Sequence, residues 1–218
     1  VEMALFAEDH TAFAIDLPAD QPIGSAWTYH NDGVQLLEPV MRAATGMSIE
    51  DYAQQHLWGP LGMSGATWAH DPSGNPTTYA NVLATCRDHA RLGYLYLHHG
   101  RWNGEQLVSS EWIAQALTPS QEYNRAYGYL FWLNGETPAV DAMNEPWDDR
   151  MVPDAPPDLF AAHGFGNQFI DVIPSLDLVV VRFGEDPATG FDLGALTSDA
   201  QMGKERDILQ PVLQAVRD

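Results

Sequence analysis

Downstream of Asp32, apolar side chains recur at Val34, Leu37, Val40, Met41 and Ala44, the three-and-four spacing of one helix face, and stop at Gly46. Asp32 suits the N-cap of that helix and Gly46 its C-cap. Ser48 opens a second helix with Glu50 and Asp51 in its first turn, Tyr52, Leu57 and Trp58 facing inward, and Gly59-Pro60-Leu61-Gly62 stopping it. A Gly/Pro/Asp-rich loop from Gly65 to Pro76 precedes a helix from about Thr85 to His98, so short of polar positions that it reads as a core helix. Ser109 or Ser110 caps another through Ala116. Upstream, Ala7 to Gly24 reads as an acidic loop with Pro18 and Pro22, ending in Ser25-Ala26-Trp27-Thr28-Tyr29-His30-Asn31, which delivers Tyr29 and Asn31 to the start of a helix.

The period then changes. Tyr127 to Leu133 is short, aromatic and bounded by turn residues, as a strand is. Thr137 to Asp158, rich in Pro and Asp, reads as a surface loop. Leu159–Ala162, Gln168–Ile173 and Leu176–Phe183 read as strands, with Pro174-Ser175 a tight turn and the all-apolar Leu178-Val179-Val180-Val181 a central strand covered on both faces. A last helix from about Ala200 to Val216 aligns Ile208, Leu209, Val212, Leu213 and Val216 in one stripe that can pack on a sheet. The order predicts an α+β fold with an antiparallel sheet flanked by helices: residues 24 to 120 mainly helical, residues 126 to 218 strands and a terminal helix, in one domain without internal repeat.

Composition supports a packed core, with 45% apolar residues among 218. A formal net charge of −20 argues against phosphate backbones and anionic membrane surfaces as partners. No apolar run approaches the roughly 18 residues of a membrane span. Cys86 is the only cysteine, so no intrachain disulfide can form, and it is expected to be a buried helix residue. Val1-Glu2-Met3 has neither the basic nor the apolar region of a signal peptide, which sets up the expectation that a segment was removed or that the chain is part of a longer product. Lys204 is the only lysine.

Chemistry concentrates in two places. One is Tyr29-His30-Asn31 at the loop-to-helix junction. The other is His163-Gly164-Phe165-Gly166 between two strands, where glycines permit close backbone approach and strand N–H groups beside a polar side chain can receive a carbonyl oxygen. No His, Asp, Glu or Cys grouping has the spacing of a zinc site, and His98-His99 before Gly100 fits a solvated helix end.

These segments, in order, resemble the serine hydrolases related to penicillin-binding proteins and class C β-lactamases, including family VIII esterases and 6-aminohexanoate-dimer hydrolases. Gly24 to Asn31 is similar to the family's Tyr-x-Asn segment, Ala44-Thr45-Gly46-Met47-Ser48 and Pro60-Leu61-Gly62-Met63 to the run that follows it, and Ala84 to Gly93 to its next helix. Trp102-Asn103-Gly104-Glu105 is similar to its usual turn, and His163 to Gly166 with Val172 to Val181 to the strand pair that carries Lys-Thr-Gly or His-x-Gly. The matches run from Gly24 to Gly184. The resemblance implies a β-lactamase/transpeptidase-like fold, a small ester or amide substrate cleaved through an acyl-enzyme, no cofactor or metal, and a periplasmic or secreted setting.

It also implies roles. Tyr29 would share the general-base task with a lysine; Asn31 would hydrogen-bond the acyl side of the substrate or hold that lysine. His163 would make the polar or cationic contact of the third motif, and the N–H of Gly166, or of a neighbour, would form half of an oxyanion hole. Phe165 stands where the family often has glycine, which shifts that register by about a residue. The family's Ser-x-x-Lys does not occur: none of the nine serines has lysine three positions on. The chain is therefore expected to be the C-terminal portion of such a domain, to need a segment or chain carrying Ser-x-x-Lys, to leave Tyr29 an ordinary phenol meanwhile, and to be inactive alone. Against this stand a structural role for Tyr29 at a helix start, a satisfied turn histidine at His163, and a non-catalytic binding or scaffolding module that has lost its nucleophile.

Overall fold

Asp9 accepts a hydrogen bond from the Ala12 N–H (2.8 Å), and this cap starts a helix inside the stretch expected to be loop. In the computed structural model, which describes residues 2–135, 137–184 and 198–217, the chain forms two units, residues 1–88 and 89–218. The first unit opens with α1 (Glu2–Phe6) and α2 (His10–Asp16). The helix expected from Asp32 is two, α3 (Asn31–Gln35) and α4 (Leu37–Thr45), and its cap is His30, whose Nδ1 accepts from the Gly33 N–H at 3.0 Å. Gly46 ends α4 in the left-handed conformation (φ 73°), as expected.

The apolar stripe does not face inward throughout: Leu37 and Val40 are 40% and 60% exposed, while Gln35 and Glu38 are buried. Polar groups can take those positions because they are satisfied. Gln35 Nε2 donates to Thr11 Oγ1 (3.1 Å) and to the Pro76 carbonyl (3.0 Å), and its Oε1 accepts from the Thr78 N–H (3.1 Å). Glu38 pairs with Arg42 one turn on.

Ser48 caps α5 (Ile49–Ala53) through the Asp51 N–H at 3.0 Å, again as expected. A π-helical turn (Gln54–Trp58) and α6 (Gly59–Leu61) follow, closed by left-handed Gly62. Trp58, Leu61 and Met63 form buried core there. β1 (Thr67–Trp68) pairs with β2 (Val82–Leu83), and Glu50 ties β1 to α5 by accepting from Thr67 Oγ1 and the Trp68 N–H (2.8 and 2.9 Å).

Thr85 and Asp88 cap each other reciprocally at the start of α7 (Cys86–Leu97). Cys86, expected to be buried, is exposed because it occupies the first, outward position of this helix. In the second unit β3 (Arg101–Trp102) and β4 (Glu105–Gln106) form a hairpin whose two-residue turn, Asn103 and Gly104, has positive φ at both positions (49° and 88°). Ser109 caps α8 (Ser110–Ala116).

The main sheet has the order β5-β6-β7-β8, all antiparallel: β5 (Trp132–Leu133), β6 (Phe160–Gly164), β7 (Gln168–Ile173) and β8 (Leu178–Arg182). The aromatic strand is shorter than expected because Leu130 takes positive φ (64°) and the Gly128 N–H turns back to the Phe131 carbonyl at 2.9 Å. Among the described residues β8 lies at the edge of the sheet, and all five of its side chains are half-buried.

One face of the sheet receives α7: Leu92, Tyr96 and Leu97 lie against a core of Leu133, Phe160, Ile170 and Val172. Gly93 makes the approach possible, since a Cβ there would sit 2.6 Å from Val179 Cγ1 and 3.0 Å from Ile170 Cγ2. α9 (Ser198–Arg217) buries Leu209 and Leu213 from its stripe and leaves Ile208 and Val216 exposed.

The segment from 137 to 158 is more than a surface loop. Met151, Val152 and Ala155 are buried. Asn134 holds the segment by donating to the Val152 and Pro156 carbonyls and accepting from the Val152 N–H (3.0, 3.1 and 2.7 Å). One turn design occurs in both units on the pattern Asp-x-x-(Gly/Asn)-x-Pro. In each the aspartate N–H reaches the carbonyl four residues on (Asp71 to Asn75 and Asp141 to Glu145, both 2.9 Å), with Gly74 or Asn144 at positive φ.

Candidate active site

Tyr29 lies in the irregular segment that leads into α3, His30 before the helix is extended, and Asn31 begins it. The His30 imidazole between them anchors the junction: Nδ1 caps the helix, and Nε2 lies 3.4 Å from Asp32 Oδ2. Trp27, two residues before Tyr29, presents its ring edge-on to it at a centroid distance of 6.5 Å. Burial pushes the Tyr29 phenol above its ordinary value of 10.0. It is therefore harder to ionise than the ordinary phenol expected, because its anion would be taken out of water.

The second group lies in the second unit. His163 is not between strands as expected but within β6, opposite Phe169, and Gly164 pairs with Gln168. The turn is Phe165, Gly166 and Asn167, with Gly166 and Asn167 at φ 73° and 61°. Gly166 thus lies at the hairpin tip, beyond the paired strand. Its carbonyl accepts from Gln168 Nε2 (2.9 Å) and Arg182 Nη1 (3.2 Å), and the Asn167 carbonyl accepts from Arg182 Nη1 at 2.6 Å. Gln168 also reaches the Gly184 carbonyl and accepts from its N–H (2.7 and 2.8 Å). A turn clamped by two side chains presents its peptide groups in one orientation.

Asp171 in β7 is fully buried, with Oδ1 3.5 Å from His163 Nε2. Sequence reasoning passed over Asp171, Gln168 and Arg182. The signal for Asp171 was present: a lone carboxylate in Phe169-Ile170-Asp171-Val172-Ile173, where only apolar side chains are expected. Tyr29, His30 and Asn31 therefore come together in the first unit, and His163, Gly166 and Asp171 in the second. Among the described residues no three His, Cys, Asp or Glu side chains converge as a metal site, and no helix is long and apolar enough to cross a membrane.

Solved structures share the fold. A provisionally named 6-aminohexanoate-dimer hydrolase from Bacillus anthracis superposes with a TM-score of 0.64 at 20% identity, over 90% of this chain and 48% of that one. A β-lactamase from Mycobacterium bovis superposes with a TM-score of 0.62 at 19% identity, over 91% and 68%. At such identities these neighbours establish the fold, a β-lactamase-like α+β arrangement. A curated but uncharacterised protein of Alkalihalophilus pseudofirmus is 24% identical over 186 residues, 73% of this chain. The chain spans about half the length of that relative (52%). A sequence profile of the β-lactamase family matches residues 2–198, and on that match the chain belongs to the β-lactamase family.

Proposed function

We propose that the chain contributes part of the active site of a serine hydrolase that cleaves a small ester or amide through an acyl-enzyme, with the nucleophile on a Ser-x-x-Lys segment outside these 218 residues. The observation that carries the reading is Tyr29, a half-buried phenol at a helix start in a member of a hydrolase family, with its ionisation opposed by desolvation. Such a group becomes a base when a cation stands beside it, since an opposite charge within about 4–6 Å favours the anion. The lysine of Ser-x-x-Lys is that cation in this reading.

A serine hydroxyl attacks the acyl carbon once Tyr29 takes its proton, and the proton then passes to the leaving group. Asn31 hydrogen-bonds the acyl side of the substrate or the lysine. His163 supplies the polar or cationic contact. The Gly166 N–H, or that of a neighbouring turn residue, donates to the oxyanion together with the N–H of the serine. No metal or organic cofactor is required by these steps. Esters and amides other than β-lactams fit better, because a histidine stands where penicillin-recognising sites carry lysine.

A second reading is a non-catalytic binding module, favoured by the lack of any Ser-x-x-Lys in the 218 residues. A fluorophosphonate probe applied to the natively purified protein separates the two. The hydrolase reading expects the label on a polypeptide carrying Ser-x-x-Lys that accompanies this chain, with Tyr29→Phe slowing labelling by about 10²–10⁴-fold. Label on no polypeptide supports the binding module, and unchanged labelling by Tyr29→Phe removes Tyr29 from the mechanism.

A further inference from the structure

The geometry points to Asp171 as the positioning residue of His163: its carboxylate, within ion-pair distance of Nε2, keeps the imidazole cationic, so that the site presents an imidazolium to the carbonyl or carboxylate of an anionic or polar acyl substrate. This rests on the reading of His163 as the polar contact and adds the group that gives that contact its charge.

Three observations converge. In the register of the two strands His163 opposes Phe169 and Ala161 opposes Asp171, so His163 and Asp171 are diagonal neighbours on one face of the sheet. Nε2 and Oδ1 are 3.5 Å apart, with the two side chains 14% and 0% exposed. Asp171 also stands alone among apolar neighbours in β7, where a carboxylate is costly unless a positive group faces it. Among the described strand residues the remaining charged group on this face of the sheet is Arg182, opposite Phe169. Its Nη1 is directed to the carbonyls of Gly166 and Asn167. Arg182 opposes a second cation, so the carboxylate must outweigh both that repulsion and burial. β6 carries no other ionisable side chain.

The test is long-range ¹H–¹⁵N NMR on the full 218-residue chain, with His163 assigned through its backbone and titrated from about pH 5 to pH 9, around the ordinary imidazole midpoint near 6.5. The wild-type midpoint is expected above that value despite burial. Asp171→Asn retains an acceptor oxygen and removes the charge, and is expected to lower the midpoint by about one to three units, a tenfold to thousandfold loss of imidazolium at fixed pH. A wild-type midpoint below the ordinary value, or an unchanged midpoint in Asp171→Asn, overturns the pairing. If Asp171→Asn does not fold, the wild-type midpoint decides. No nucleophile or substrate enters the measurement. A raised midpoint together with fluorophosphonate labelling of no polypeptide in the native preparation would retain the pair and remove the hydrolase reading.

Discussion

A phenol serves as a base only where its anion is stabilised. Burial acts on Tyr29 in the opposite sense, which makes its activation depend on a charge brought from elsewhere. Asp71 shows the contrary balance. Burial raises its carboxyl, yet hydrogen bonds from the Asn75 side chain and from the His10 and Asn75 N–H groups, with the His10 charge, hold it below the ordinary range. Because the folded-state value is depressed, the stability it contributes is present above the unfolded value near 3.9 and is lost as pH falls through the folded one. Asp71→Asn should cost roughly 1.5–3 kcal/mol at pH 7, the range for hydrogen bonds to a charged group, with the difference from wild type shrinking at low pH. Urea unfolding at several pH values measures this, and a difference that stays constant down to about pH 2 would contradict it.

The contact of α7 with the sheet depends on a missing side chain. Gly93→Leu places carbon where Val179 and Ile170 already are, so it should destabilise the second unit by about 1–3 kcal/mol, as overpacking does. Thermal unfolding that leaves Gly93→Leu as stable as wild type would show that the helix stands further off. Elements of this kind were legible in the sequence: α8, β6, β7 and α9 follow from periodicity, and Gly46, Ser48 and Gly62 punctuate as their chemistry requires.

Other features were not legible, because they depend on partners far along the chain. α2 is a short helix whose first residue is tied by the His10 N–H to Asp71 Oδ2 at 2.8 Å, 61 residues away. The segment 137–158 reads as surface loop until Asn134 and Asn124 bind its backbone from outside it. Likewise the Tyr29 and His163 segments could be found from their residue types, whereas Asp171 acquires its meaning from the β6–β7 register.

Three half-buried phenols, Tyr29, Tyr79 and Tyr96, are all raised by desolvation, with the charges of Asp32 and Asp71 adding to the effect at Tyr79. The folded chain keeps protons there that the unfolded chain releases, so stability present below about pH 10 declines as pH climbs through the raised values. Tyr96→Phe should flatten that alkaline decline in thermal unfolding, and an equally steep decline would contradict the sign. The candidate chemistry is likewise distributed over both units, in an acidic chain with one lysine and no Ser-x-x-Lys. The most direct test is steady-state hydrolysis of a p-nitrophenyl acyl ester by the 218-residue chain, alone and with a polypeptide that carries the family's Ser-x-x-Lys segment. Background rates alone and saturable turnover on combination are the predicted result. Enzyme-level turnover by the 218 residues alone, or none after combination, would contradict it.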